Sequence, residues 1–124
     1  MNKGLNKVML IGWLDADPEI RQTPNGRQIG SFALGVSRSW VSSQGEQREE
    51  TEWFNVVAWG GLADICEHFL LKDKQVYVEG RLQTRRWQDN QGRTHFRTEV
   101  VAQDIIALSS YIDESAEILE EYLD

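Results

Sequence analysis

Residues 60–74, GGLADICEHFLLKDK, interrupt a chain body that otherwise alternates. Leu62, Ile65, Cys66, Phe69 and Leu70 fall at i, i+3, i+4, i+7 and i+8, one face of an amphipathic helix. Before it come three stretches with strand period: NKVMLIGWL, RQIGSFALGVS and TEWFNVVAW. After it come two more, QVYVEGRLQTRRW and THFRTEVVAQDIIAL, joined by the turn QDNQGR. TPNGR, residues 23–27, is a turn, because Asn-Gly tolerates positive φ. SWVSSQGEQREE is polar around Gly45, as at the tip of a long hairpin. Gly12, inside the first strand, marks a bulge or a bend.

One helix between the third and fourth strands of an antiparallel chain predicts an OB-fold, all-β with one helix. That fold is a five-stranded Greek-key barrel, here with long hairpins. Most sandwiches have no such helix. The chain length of 124 residues suits one domain with a modest core. We divide it into an OB-fold body, residues 1–109, and a short acidic tail, residues 110–124. No apolar run approaches the ~18 residues that span a bilayer, and the N-terminal run reads as a strand rather than a signal peptide. The single cysteine, Cys66, excludes an internal disulfide, is compatible with a reducing cytosol, and sits among apolar residues as a buried inert thiol would.

The net charge of −7 argues against nucleic acid when taken whole. Its distribution reverses the argument. Asp113, Glu114, Glu117, Glu120, Glu121 and Asp124 are six of the twenty acids, and the tail holds no Lys or Arg. The body keeps fourteen acids against thirteen basic residues, a balance of −1. A near-neutral body has room for a basic face. In the tail, Ile112, Ala116, Leu119 and Leu123 form a helical stripe that Ser110 could cap, with acids early as the helix dipole prefers.

The face comes from parity. In TEWFNVVAW, Phe54, Val56 and Ala58 point one way, and Trp53, Val57 and Trp59 the other. In QVYVEGRLQTRRW, Val76, Val78, Gly80, Leu82 and Thr84 form an apolar row that suits a core. Tyr77, Glu79, Arg81, Gln83, Arg85 and Trp87 form the opposite row, with Arg86 beside it. Trp40, next to Arg38, stands near the base of the long hairpin. Tryptophans interleaved with guanidiniums suit single-stranded nucleic acid. Each base can stack on an indole at roughly 1–3 kcal/mol while arginines meet the phosphates between. Such a surface grips a strand without reading its sequence. A lone tryptophan is more often packing filler, and Trp13 is read that way. The small row Ala33, Gly35 and Ser37 either admits a close approach or packs ordinarily.

An enzyme is the first competing class. The acids are scattered apart from Glu49 to Glu52 at a hairpin, His68 and His95 are far apart, and no zinc spacing exists. No catalytic residue, metal or cofactor is expected. The second rival is an OB-fold oligomeric adaptor of replication restart with weak nucleic-acid binding, its aromatics buried in an interface.

Five stretches, LNKVMLIGWLDADPEIR, PNGR, TEWFNVVAWG, VYVEGRLQTRRW and RTEVVAQDI, resemble the bacterial single-stranded DNA-binding protein family from about Leu5 to Leu108. The resemblance implies an OB-fold, a homotetramer around which ssDNA wraps, and a cytoplasmic, nucleoid-associated role coating ssDNA in replication, recombination and repair. It makes Trp40, Trp53, Trp59 and Trp87 the base-stacking residues. It also places Phe54 at or near a subunit contact, where the family often has a polar ring. Two features depart from the family. Many members have a lysine where this chain has Gly61. Typical members continue through a flexible linker to an acidic tip ending in Pro-Phe that recruits repair and replication proteins. This chain ends EILEEYLD, acidic but without Pro-Phe, so recruitment by the usual mode is not expected of it. The tail is read as docking on the body, binding a partner such as a replication or repair protein, or competing with DNA for the basic face.

Overall fold

A computed structural model describes residues 2–108, so the tail and its helical stripe lie outside the described residues. The elements follow in the order β1 (Val8–Leu14), β2 (Glu19–Gln22), β3 (Gln28–Val41), β4 (Gln47–Trp59), α1 (Gly61–Phe69), β5 (Gln75–Gln88) and β6 (Thr94–Ala107). The sheet runs β1-β5-β6-β4-β3-β2, and β1 also pairs with β3. β1, β5, β6, β4 and β3 therefore close into the expected five-stranded barrel. All ladders are antiparallel except β4 with β6, which meet in parallel at Val56↔Val100 and Val57↔Val101.

Closure happens at Gly12. Trp13 pairs with Gln75 of β5 and also with Gly35 of β3, so β1 leaves one neighbour for the other there. A Cβ on Gly12 would overlap the Gly35 carbonyl oxygen. The glycine is thus a close crossing, which is the bend its place in a strand suggests. Just before β1, the Asn6 side chain takes the place of a strand partner. Its Nδ2 donates to Leu82 O and its Oδ1 accepts from Leu82 N, both at 2.8 Å.

The inward rows fill the barrel. Leu14, Leu34, Val56, Val76, Val78 and Val100 are buried, joined from one end by Cys66 and Leu70. Each such aliphatic side chain stabilises the fold by roughly 1.5–3 kcal/mol on burial. The helix departs from its expected stripe. Ala63, Cys66 and Leu70 are buried, Leu62 and Ile65 flank them, and Phe69 is 62% exposed. The reason is length: α1 ends at Phe69, and Leu70 is already extended (φ −109, ψ 135), so it turns inward in place of Phe69. Cys66 lies over Gly30, where a Cβ would come within 3.3 Å of its sulfur. Burial pushes the Cys66 thiol up to about 11, which suppresses its thiolate.

Two more differences concern boundaries. β2 was not expected; four residues are too few to show alternation, and this edge strand pairs only with β3. The polar stretch after Arg38 is mostly strand. β3 and β4 stay paired out to Val41↔Gln47, leaving a tight turn in which Gly45 has φ 80. Cross-strand polar pairs such as Ser37 with Thr51 (2.9 Å) hold this ribbon outside the core.

Candidate nucleic-acid interface

The register assembles the outer face row by row. On β4, Trp53, Asn55, Val57 and Trp59 point away from the core row of Val56 and Ala58. Val57 pairs with Val101 of β6, and Val101 with Arg81 of β5. Continuing outward, Gln83 faces Glu99, Arg85 faces Arg97, and Trp87 faces His95. Trp53, Trp59, Arg81, Arg85 and Trp87 therefore share one face across three strands. A groove of about 510 Å³ runs along it, lined by Trp59, Asn55, Arg21, Arg85 and Arg97, with Glu99 on its floor and the acids Asp15, Asp17 and Glu19 also on its lining.

The small row on β3 now has its use. Gly35 lies under Trp53, where an added Cβ would come within 2.7 Å of the indole. Ala33 and Ser31 line the groove. Trp13 stands edge-on to Trp53, with centroids 5.8 Å apart at 74°. Its reading as filler is thus incomplete: it buttresses a member of the candidate site.

Arginines lie over the rings of three of the tryptophans. The guanidinium carbons of Arg38, Arg85 and Arg27 lie 4.6, 5.0 and 4.6 Å from the rings of Trp40, Trp87 and Trp59. Two of these arginines also meet carboxylates. Arg85 Nε lies 3.0 Å from Glu99, whose side chain is only 11% exposed, and Arg38 lies 3.4 Å from Glu50. Arg97 donates to Asn55 and ties β6 to β4 within the groove. Trp87 stacks on His95 at 5.5 Å, and His95 Nε2 lies 2.8 Å from Asp89 Oδ2. That bond first, and then the backbone N–H of Arg93, holds the Asp89 carboxyl below its usual range.

Not every expected residue joins the shared face. Arg86 has the opposite parity to Arg85 and Trp87 and pairs with Phe96 on the far side of the β5–β6 arm. Arg38 and Trp40 share the parity of Leu34, but sit where the β3–β4 ribbon has left the barrel. Phe54 is half-buried against the core. Sequence reasoning missed Asn55, Arg97 and Glu99, although their alternation with Val56, Thr98 and Val100 carried the signal. It also missed Arg27, which lies in a turn where no period exists.

A closed five-stranded barrel with one helix and an outer face that carries tryptophans and arginines defines an OB-fold binding module. The Single-strand binding protein family model matches residues 5–108. The chain is 50% identical over 111 residues to Single-stranded DNA-binding protein 1 of Chlorobaculum tepidum, covering 89% of this chain and 68% of that one. Among solved structures, it is similar to the Plasmodium falciparum SSB in complex with ssDNA, with TM-score 0.79 and 32% identity over 88% of this chain and 100% of that one. It is also similar to a deletion mutant of the single-stranded DNA binding protein from Thermus aquaticus, with TM-score 0.76 and 33% identity over 89% of this chain and 53% of that one. The chain belongs to the single-strand binding protein family, a family of non-catalytic DNA-binding proteins. Among the described residues, no helix is long and apolar enough to cross a membrane.

Proposed function

We propose that this chain coats single-stranded DNA with little sequence preference during replication, recombination and repair, in the cytoplasm at the nucleoid. The observation that carries this reading is the gathering of Trp53, Trp59, Arg81, Arg85 and Trp87 on one face across β4, β6 and β5. Bases stack on the indoles, and arginines take the phosphates between them. Trp40 and Arg38 extend the contact along the β3–β4 ribbon, and Arg86 reaches the strand from the other side of the β5–β6 arm. Titration with oligo-dT tests it directly. Stacking quenches tryptophan fluorescence, whereas indoles buried in an adaptor's interface stay bright.

Assembly as a homotetramer belongs to the same proposal. Ile11 pairs with Tyr77, and Tyr77 with Ile106, so these side chains form a row on the outside of β1, β5 and β6. Ile11 and Ile106 are each about half exposed, and Met9 beside them is 64% exposed. A second copy would cover that apolar row, and Phe54 adds burial at or near a subunit contact. Sedimentation at micromolar concentration should give four times the monomer mass; a monomer refutes it. The acidic residues of 110–124 are the segment we propose for contact with replication and repair proteins.

A further inference from the structure

Arg27 is built into the outer face more firmly than an exposed turn arginine needs to be. Its N–H donates to Thr23 Oγ1 at 3.0 Å, and its carbonyl accepts from Thr23 N at 2.8 Å. Gly26, with φ 84, closes the turn by donating to Thr23 O at 2.8 Å. The backbone of Arg27 is therefore fixed, and its guanidinium lies 4.6 Å from the centre of the Trp59 ring. Arg21 comes to the same corner, since Arg21 pairs with Ile29 and Ile29 with Trp59.

The comparison with the other stacked arginines is informative. Arg38 and Arg85 each have a carboxylate within 3.4 Å. Among the described residues Arg27 makes no ion pair. A guanidinium lying on an indole keeps its N–H edges in its own plane, free of the ring. Those donors bind an oxyanion in bidentate geometry, and the bonds are charge-assisted. Stacking also fixes the side chain in advance, which lowers the ordering cost of that contact.

We propose that Arg27 is a further phosphate-binding residue, which takes the backbone phosphate next to the base at Trp59. The nucleic-acid path then leaves the barrel over the β2–β3 turn, extending the site by one nucleotide beyond the groove. The proposal rests on the reading of this face as the ssDNA surface.

The test is oligo-dT titration of wild type, Arg27→Gln, Arg27→Lys and Trp53→Ala at several salt concentrations. One phosphate contact to a single strand contributes about 0.7 to the slope of log K against log salt. Arg27→Gln should lower the slope by about that amount, bind more weakly at low salt, and approach wild type as salt rises. Arg27→Lys should keep the slope. An unchanged slope in Arg27→Gln, with Trp53→Ala weakened as expected, overturns this proposal alone and leaves Arg27 as a cover for Trp59. Loss of slope in Arg27→Lys as well as Arg27→Gln overturns it in favour of a structural effect on the turn. Absence of quenching in wild type overturns both this proposal and the reading beneath it.

Discussion

On the barrel wall, Trp53 is backed by three strands. Gly35 of β3 pairs with it and lies beneath its ring, Gly35 pairs in turn with Trp13 of β1, and Trp13 stands at the edge of the ring. On the β5–β6 arm, Trp87 has support only from its own two-stranded ribbon. His95 lies flat beside it at 5.5 Å, Arg85 hangs over it, and the turn is knotted by Asp89. A two-stranded ribbon alone is marginal in water. The wall therefore presents a platform that is ordered before a ligand arrives. The arm presents the same chemistry but must lose freedom on binding, at about 0.5–1.5 kcal/mol per side chain immobilised. Rigid platforms set where a strand docks, and compliant arms let it follow an irregular path. A protein that must accept any sequence benefits from having both.

The sharpest cut at this contrast is Trp53→Ala against Trp87→Ala. Each should weaken oligo-dT binding by about 1–3 kcal/mol, the range general to base stacking in single-strand binders. The wall variant should sit at the upper end and the arm variant at the lower, with thermal melting unchanged in both. Fluorescence or anisotropy titration measures the difference. If both variants bind like wild type, the stacking surface is wrong; if Trp87→Ala costs more, the ranking of wall over arm is.

Gly35→Ala breaks only the wall. The new methyl group meets the far end of the Trp53 ring, which is 48% exposed and can swing outward. The cost should therefore fall on affinity more than on stability. We expect weaker oligo-dT binding, by less than Trp53→Ala, with a melting temperature within a few degrees of wild type. A large loss of stability would show that the ring is part of the core.

These two positions also mark what was legible in the sequence. Parity alone put Trp53 and Trp59 on one face and Phe54, Val56 and Ala58 on the other, because strand alternation is local and strict. The helix, the hairpins and the OB-fold followed from period changes in the same way. The rest depended on contacts between distant segments. That Gly35 supports Trp53 depends on a register between strands that no local pattern encodes. That Trp13 meets Trp53 depends on how β1 crosses to β3 at Gly12. β2 was too short to alternate, and Arg27 sits in a turn. Arg86 was placed beside Arg85 by adjacency, yet adjacent strand residues face opposite sides.

Acid should loosen the arm and spare the wall. The Asp89 carboxyl is held below its ordinary value of 3.8, mainly by His95. Its charged form is thus favoured in the folded arm, and the unfolded arm takes up a proton first as pH falls. The stabilisation is present above that ordinary value and is lost as pH drops through the lower folded value. NMR signals of the Trp87 indole should broaden or shift in that window before those of Trp53, and Asp89→Asn should produce the same change at neutral pH. Simultaneous change of both indoles would mean that arm and wall melt as one unit.

The smallest effect expected comes from charge that belongs to neither region. The body balances at −1, and residues 110–124 carry six acids and no Lys or Arg. Most of the net repulsion felt by an approaching phosphate chain therefore originates in the tail. Deleting residues 110–124 should tighten oligo-dT binding at low salt. The gain should fade as salt rises, because the Debye length falls from about 30 Å at 0.01 M to about 10 Å at 0.1 M. Long-range repulsion acts on wall and arm alike, so the deletion should leave the Trp53→Ala and Trp87→Ala losses in the same order as in the full chain. A gain that persisted into moderate salt would instead point to direct occupation of the face that carries the tryptophans and arginines. Unchanged affinity at low salt would mean that the tail's charge is not felt at the binding surface at all. Titrating the full and truncated chains at two salt concentrations, with melting curves for each, separates these outcomes.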